Sequence, residues 1–393
     1  ITAAAIFFVA LSVQVAETGS LAVAPLVQAA QPVMLVAILI KTASIPLHGW
    51  LTGSYTRASY VGSFLLSAFA TKVGVYTAAR TLSYTPAGLP LLSLIGAVVA
   101  VVAVGYALTQ HSARRLLSFH IVSQVGYMLV GVGLVGTSPE ASALGIDAGL
   151  FHAINHIIYK ALLFLVVTLV AEHFGHDDLD RMGGLARRMP LVFVAALVGA
   201  AAISGLPFTS GYASKELLKS AAGEPQTWLL IVAGVGTGMS FTKFIYLIFL
   251  RRPKDAGADD PGASGRGGPG GRVRIAPAAG LALVVLSALS VLIGMFPNLV
   301  PGLEPYQYYT PYAVVAATVP LVAAVMLWVL LGRILMKLGA REAQDPLLRT
   351  VIRRWSKAPL SWLRGAYRVD GQVAVQIAVA ATLVLILVMV LML

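Results

Sequence analysis

The chain has 393 residues, 58% of them hydrophobic and only 11% charged, with a mean hydropathy of +0.85; a soluble globular chain carries about 25% charged residues, so an ordinary soluble enzyme is excluded. The net charge is +12, but Lys and Arg fall in the loops between apolar stretches rather than in one groove-sized patch, so they read as topology determinants and not as a nucleic-acid surface. No Cys is present, which excludes disulfides, thiolate zinc sites and iron–sulfur clusters.

A spanning helix needs about 20 mostly apolar residues. Such stretches fall at residues 1–16, 31–51, 60–80, 89–109, 116–136, 149–172, 190–222, 227–250, 277–297, 311–332 and 371–393. They predict an all-α polytopic membrane protein with about eleven crossings. Ile1 lies inside the first apolar run with no basic region or cleavage site ahead of it, so the chain is expected to start partway through a longer protein. Pro46 sits within 31–51, and Gly205-Leu206-Pro207 interrupts the over-long stretch 190–222. Proline removes a backbone donor from the helical ladder, so both stretches are predicted to be broken helices.

The positive-inside rule orients the spans. Loops 110–115 (Arg114, Arg115), 173–189 (Arg181, Arg187, Arg188), 251–276 and 333–370 are basic and are expected on the cytoplasmic side of an inner or plasma membrane. Loops 137–148 and 298–310 have no Lys or Arg and fall on the opposite face, with Arg80 the one exception, at a helix end from which it can snorkel. The Gly, Pro and Arg content of 251–276 predicts a disordered connector. Segment 333–370 mixes basic residues with Trp355, Trp362 and Tyr367, which suits an interfacial helix or an anchored loop.

The apolar stretches carry ionisable residues. Lys41, Lys72, Lys160, Lys215 and Lys243 lie inside them, although each charge at such depth costs about 2.5–3.5 kcal/mol. Burial disfavours the charged form of an amine, which lets a lysine load and unload a proton, the property a relay needs. His152, His156 and Lys160 are spaced i, i+4, i+8 in FHAINHIIYK, which places them on one helix face. Asn155, Ser123 and Gln124 are positioned to hold waters between such sites, and His120 begins a similar stripe inside Arg114 and Arg115. Each residue also has a structural reading. Lys72 and Lys243 stand nearest to helix ends, where snorkelling is cheap. His48 follows Pro46 by two residues and suits a cap for carbonyls freed at the break, and Lys215 and Glu216 are adjacent and suit an ion pair. Haem ligation by His152 and His156 is disfavoured, because two residues on one helix face cannot approach opposite faces of a haem. A zinc site has no nearby third ligand.

At this point the chain resembles a known family, the antiporter-like subunits shared by respiratory complex I, membrane-bound hydrogenases and Mrp-type multisubunit cation/proton antiporters. The resemblance rests on IKTASIPLHGWL (40–51), ATKVGVYTAAR (70–80), RRLLSFHIVSQVGYMLVG (114–131), FHAINHIIYKALLFL (151–165), GGLARRMP (183–190) and SGLPFTSGYASKELL (204–218). TKVGVY and SFHIVSQVGY look most like the D-type component of the Mrp antiporters, complex I subunits more often having Ser in place of His120. The resemblance implies two inverted repeats, each with a broken helix. Residues 1–109 are then the remainder of the first, broken near Pro46, and 116–250 the second, broken near Pro207. Residues 277–332 supply two peripheral spans and 371–393 a C-terminal one.

Carried over by position, Lys41 resembles the lysine of the first broken helix, Lys72 that of the next helix, Lys160 the central lysine beside the paired histidines, and Lys215 the terminal lysine of the second broken helix. The family's embedded glutamate lies further upstream of the first lysine than the 40 residues that precede Lys41, so it is expected in the part of a longer protein ahead of Ile1; Glu17 does not match its motif. The implied function is proton translocation coupled to Na⁺ or another monovalent cation, with other membrane subunits as partners and no cofactor or metal. The rival readings are a proton-pumping subunit of complex I, a membrane-bound hydrogenase or an inorganic-carbon uptake complex, and, from other classes, a structural membrane scaffold or a haem-bearing cytochrome subunit.

Overall fold

The computed structural model describes residues 2–20, 26–82, 90–135, 138–252, 273–303 and 305–338. Fourteen α-helices follow in chain order: α1 (Thr2–Thr18), α2 (Ala30–Lys41), α3 (Gly49–Arg57), α4 (Tyr60–Phe69), α5 (Lys72–Leu82), α6 (Pro90–Leu108), α7 (Ala113–Val132), α8 (Pro139–Phe174), α9 (Leu185–Arg188), α10 (Pro190–Ser204), α11 (Ser210–Ala221), α12 (Gln226–Ile245), α13 (Pro277–Met295) and α14 (Pro311–Leu338). A π-helical turn, Tyr246–Leu250, extends α12. Among the described residues, seven segments are long and apolar enough to cross a membrane, and α1, α2 and α10 are shorter apolar helices. The protein is a multi-pass α-helical membrane protein. The expected span at 371–393, most of the basic segment 333–370 and most of the connector 251–276 lie outside the described residues.

The core is built around α7 and α8. Helix α7 is 94% buried across its membrane-length window, against 17% for α13 and 11% for α14, so the last two are peripheral. Helices α3, α5, α6, α8, α11 and α12 all pack on α7. Small residues permit the closest approach: a side chain on Gly126 of α7 would meet the Gly96 carbonyl of α6 at 2.5 Å. Lipid gives helices no hydrophobic reason to associate, and backbone contact at small residues replaces it.

Three local structures depart from uninterrupted spans. Residues 42–48 unwind between α2 and α3, and residues 205–209 between α10 and α11, as Pro46 and Pro207 predict. Among the described residues, Ala43 (φ 56°) and Phe208 (φ 67°) are the non-glycine residues with left-handed backbone, one in each break, and such strain persists only where the surroundings impose it. Gly205 ends α10 at φ 86°, accessible to glycine at little cost. The third break has no proline to announce it: 60–80 divides at residues 70–71 into α4 and α5, where the Lys72 ammonium donates to the Ser67 carbonyl at 2.5 Å in the last turn of α4.

Helix α8 also starts earlier than the apolar pattern predicts. Ser138 caps it by accepting from the Ala141 N–H at 3.1 Å, and Pro139 occupies its first position, where a missing N–H costs nothing. Most of the expected loop 137–148 is therefore helical.

The basic loops converge at one end of the bundle. Ala113 N–H bonds Asp177 O at 2.8 Å, Leu179 N–H bonds His111 O at 2.7 Å, and Val273 N–H bonds Arg188 O at 3.0 Å. Arg251 donates from Nη2 to the carbonyls of Leu179 (3.0 Å), Asp180 (2.6 Å) and Met182 (2.5 Å).

Candidate functional site

Helix α8 supplies the centre. His152, Asn155, His156, Tyr159 and Lys160 are all completely buried. His152 sets Nδ1 2.9 Å from Ser214 Oγ on α11 and Nε2 3.2 Å from Gln124 Oε1 on α7. The Tyr159 hydroxyl donates to the same Gln124 oxygen at 3.3 Å, and Asn155 Nδ2 donates to the Ser210 carbonyl at 2.9 Å. The two ring nitrogens of His152 thus face α7 and α11. Lys160 Nζ donates to the Leu117 carbonyl of α7 at 2.8 Å and stands 6.0 Å from the Phe164 ring centroid.

His156 and His120 are different. Both are completely buried, yet neither ring has a hydrogen-bond partner on either nitrogen. His120 packs against Phe241 of α12 at 4.8 Å between centroids, and His156 against Tyr159 at 5.3 Å. Gln124 Nε2, Asn155 Oδ1 and Ser240 Oγ are also buried without a partner. Buried polar atoms in native proteins are almost always bonded, and an ordered water is the usual partner where protein supplies none. His156 lies within electrostatic reach of Lys72, Lys160, His152 and Lys215, and His120 within reach of Lys160 and Lys215.

The remaining lysines share one mode of support. Lys72 donates to Ser67 O in the last turn of α4. Lys215 donates to Ile203 O in the last turn of α10 at 2.6 Å and lies 4.8 Å from the Tyr127 ring centroid. Lys243 donates to Leu108 O, at the end of α6, at 2.9 Å and to Gln110 O at 2.6 Å. The carbonyl end of a helix carries partial negative charge, so each ammonium sits where a dipole favours it. Pro207 makes one such acceptor: it stands four residues after Ile203 and has no N–H to offer that carbonyl. Among the described residues, Lys72, Lys160, Lys215 and Lys243 have no ion-pair partner.

Magnitudes separate the four. A lysine at mid-membrane costs about 2.5–3.5 kcal/mol, a charge-assisted hydrogen bond returns about 1.5–3 kcal/mol, and a helix C-terminus up to about 2 kcal/mol more. The charges of Lys72, Lys215 and Lys243 are therefore offset. Lys160 bonds a carbonyl near the start of α7, where no C-terminal dipole helps, and is left about 1 kcal/mol short.

Several sequence expectations need correction. Lys72 and Lys243 do not snorkel; they are only 7% and 1% exposed and turn inward to backbone carbonyls. Glu216 pairs with Lys219, one turn further along α11, at 2.6 Å rather than with Lys215, because adjacent helical residues point about 100° apart. Lys41 is not at mid-helix but is the last residue of α2, half-buried at the break, and lines a cavity of about 460 Å³ with Phe7, Trp50 and Gly74. His48 is buried with its ring 5.8 Å from Phe119 and 6.4 Å from Tyr106. Ser214, Tyr159 and Tyr127 join the site although nothing within the segments that carry the family resemblance distinguishes them as site residues. Their one signal is polarity inside an apolar helix, which does not say which helix each will face.

Comparison with known proteins places this geometry. Residues 3–240 match the family model for the transmembrane part of NADH:quinone oxidoreductase/Mrp antiporter proteins, and the chain belongs to that family. Formate hydrogenlyase subunit 3 of Escherichia coli is 35% identical over 181 residues, covering 44% of this chain and 30% of the relative. NADH-ubiquinone oxidoreductase chain 5 of Acanthamoeba castellanii is 33% identical over 224 residues, covering 54% and 32%. Hydrogenase-4 component B of Escherichia coli is 31% identical over 314 residues, covering 72% and 45%. The chain thus spans less than half the length of each of these relatives. A chain in the structure of the Mrp complex from a Dietzia species superposes with TM-score 0.68 at 25% identity, covering 86% of this chain and 68% of that one.

Proposed function

We propose that the protein is a proton-translocating subunit of a multisubunit membrane complex that exchanges protons for a monovalent cation, most simply Na⁺. The observation that carries this reading is His156, completely buried with both ring nitrogens unpartnered and within electrostatic reach of Lys72, Lys160 and Lys215. A group of this kind joins a chain of titratable sites through water. In this reading protons pass between Lys41, Lys72, Lys160, His156 and Lys215, each lysine's charge biasing the next. His152, His120, Gln124 and Ser214 order the waters, and His48, Lys243 and Glu216 lie at the margins of the route. The two breaks, one within 1–109 and one within 116–250, are proposed to belong to two inverted repeats. The basic loops are assigned to the cytoplasmic side of the cell membrane by their charge.

The test is Na⁺-dependent pH change in everted vesicles carrying the complete complex. Lys160→Ala is expected to abolish it, and an unchanged signal would leave the chain a scaffold. A second reading, a proton-pumping subunit of a redox complex, is favoured by relatives named as hydrogenase and oxidoreductase components. Proton movement that depends on Lys160 but not on Na⁺ selects it.

A further inference from the structure

We propose that the end of the bundle carrying the basic loops holds a proton port, in which the His111–Asp180 pair serves Lys243 and, through Ser240 and His120, the central Lys160. The proposal rests on the relay reading above and adds where that relay meets the water.

His111 lies between α6 and α7, with Nδ1 2.6 Å from Asp180 Oδ2, and the two side chains are 11% and 19% exposed. The pair therefore touches solvent while its inner side faces protein. Asp180 is held in place: Arg251 bonds the carbonyls of residues 179, 180 and 182, and Asp178 Oδ1 accepts from the Asp180 N–H at 2.9 Å. The nearby Asp177 is engaged elsewhere, with Arg114 Nε at 3.1 Å and Ser112 Oγ at 2.7 Å. A carboxylate on one ring nitrogen fixes the orientation and tautomer of a histidine, which is how proton-handling imidazoles are positioned.

Directly behind the pair stands Lys243. Its Nζ donates at 2.6 Å to the carbonyl of Gln110, the residue preceding His111, and it lies within electrostatic reach of Asp180. One turn along α12, on the same face, Ser240 is buried with an unpartnered hydroxyl. Phe241 then contacts the His120 ring, whose nitrogens are both unpartnered and which is within reach of Lys160. Two unsatisfied polar groups, the Ser240 hydroxyl and the His120 ring, thus lie beyond Lys243 on the side of Lys160, as a water-filled branch from the largely buried pair requires.

The experiment uses the complete complex in everted vesicles, where the cytoplasmic loops face the bath. His111→Ala and Lys243→Met are each expected to slow the initial rate of proton movement about a hundredfold, the low end of what a positioned proton-transfer group contributes. Imidazole in the bath is expected to restore the His111→Ala rate while leaving the unsubstituted complex unchanged. Slow transport that imidazole does not restore, in a complex assembled to normal amount, reduces the pair to a tie between loops and overturns the port. Full rates in both variants while Lys160→Ala is inactive also overturn it and leave the relay standing. A full rate in Lys160→Ala removes the relay and the port together.

Discussion

Replacing Lys160 with methionine separates the two roles a buried lysine can have. Methionine keeps most of the length and none of the charge. The bond lost is the one from Nζ to Leu117 O at 2.8 Å, worth about 1.5–3 kcal/mol as a charge-assisted hydrogen bond. That carbonyl lies inside α7, where the helical ladder already supplies it with an N–H, so it is not orphaned. The gain is release from the cost of a mid-membrane charge, about 2.5–3.5 kcal/mol. The two nearly cancel. Lys160→Met is expected to change Tm by no more than about 4 °C, the equivalent of about 1 kcal/mol, while proton transport falls by about 10²–10⁴-fold. Tryptophan fluorescence of the purified complex during heating reads the first quantity, and initial acidification rates in everted vesicles read the second. A large loss of Tm would show Lys160 to be a structural strut, and an undiminished rate would take it off the route.

Lys215→Met is expected to cost about 1–3 kcal/mol more in the same unfolding assay, because Pro207 gives the Ile203 carbonyl no replacement donor; equal stability of the two variants would count against the carbonyl-support argument. Pro207→Ala restores an N–H that competes with Lys215 for that carbonyl, at about 0.5–1.5 kcal/mol, and should alter proton flux by up to about tenfold with little change in complex yield. Gly211→Ala places a methyl group against the Ala202 carbonyl where α11 meets α10, and the forced shift should lower stability by about 1–3 kcal/mol, read as reduced complex on a native gel. Tyr159→Phe removes one donor from Gln124 but leaves His152 its contacts with Ser214 and Gln124, so transport is expected to slow by less than about tenfold.

Much of this organisation is legible in the sequence because the membrane imposes one dominant rule. Apolar length reports spans, and proline inside them reports breaks, so the unwound segments at Pro46 and Pro207 are accessible to reading. The break at residues 70–71 is not, since no proline marks it and the carbonyl of Ser67 is satisfied by the side chain of Lys72. The depth of each lysine escapes a linear reading for a related reason. Distance along an apolar stretch measures depth only for an unbroken helix, so Lys41 sits at a helix end while Lys243 is sealed behind the end of α6. Partners across helices are the least legible. His152 meets Ser214 across 62 residues of sequence and Gln124 across 28, and periodicity within a helix says nothing of which neighbour its polar face will meet.

The pattern of support also bears on direction. If all buried lysines were equally stabilised, a proton would have no preferred resting place, and the relay would be a passive wire. Instead Lys72 and Lys215 rest on helix C-termini, whereas Lys160 lacks that support. In the proposed relay the charges of Lys72 and Lys160, which lie within electrostatic reach, disfavour one another, so the two are not held together. Lys160 is then the position at which movement of an external ion, or of a coupled subunit, has the greatest leverage. A dipole of up to about 2 kcal/mol at Lys72 and Lys215 corresponds to roughly thirtyfold in occupancy, enough to order the sequence of proton transfers.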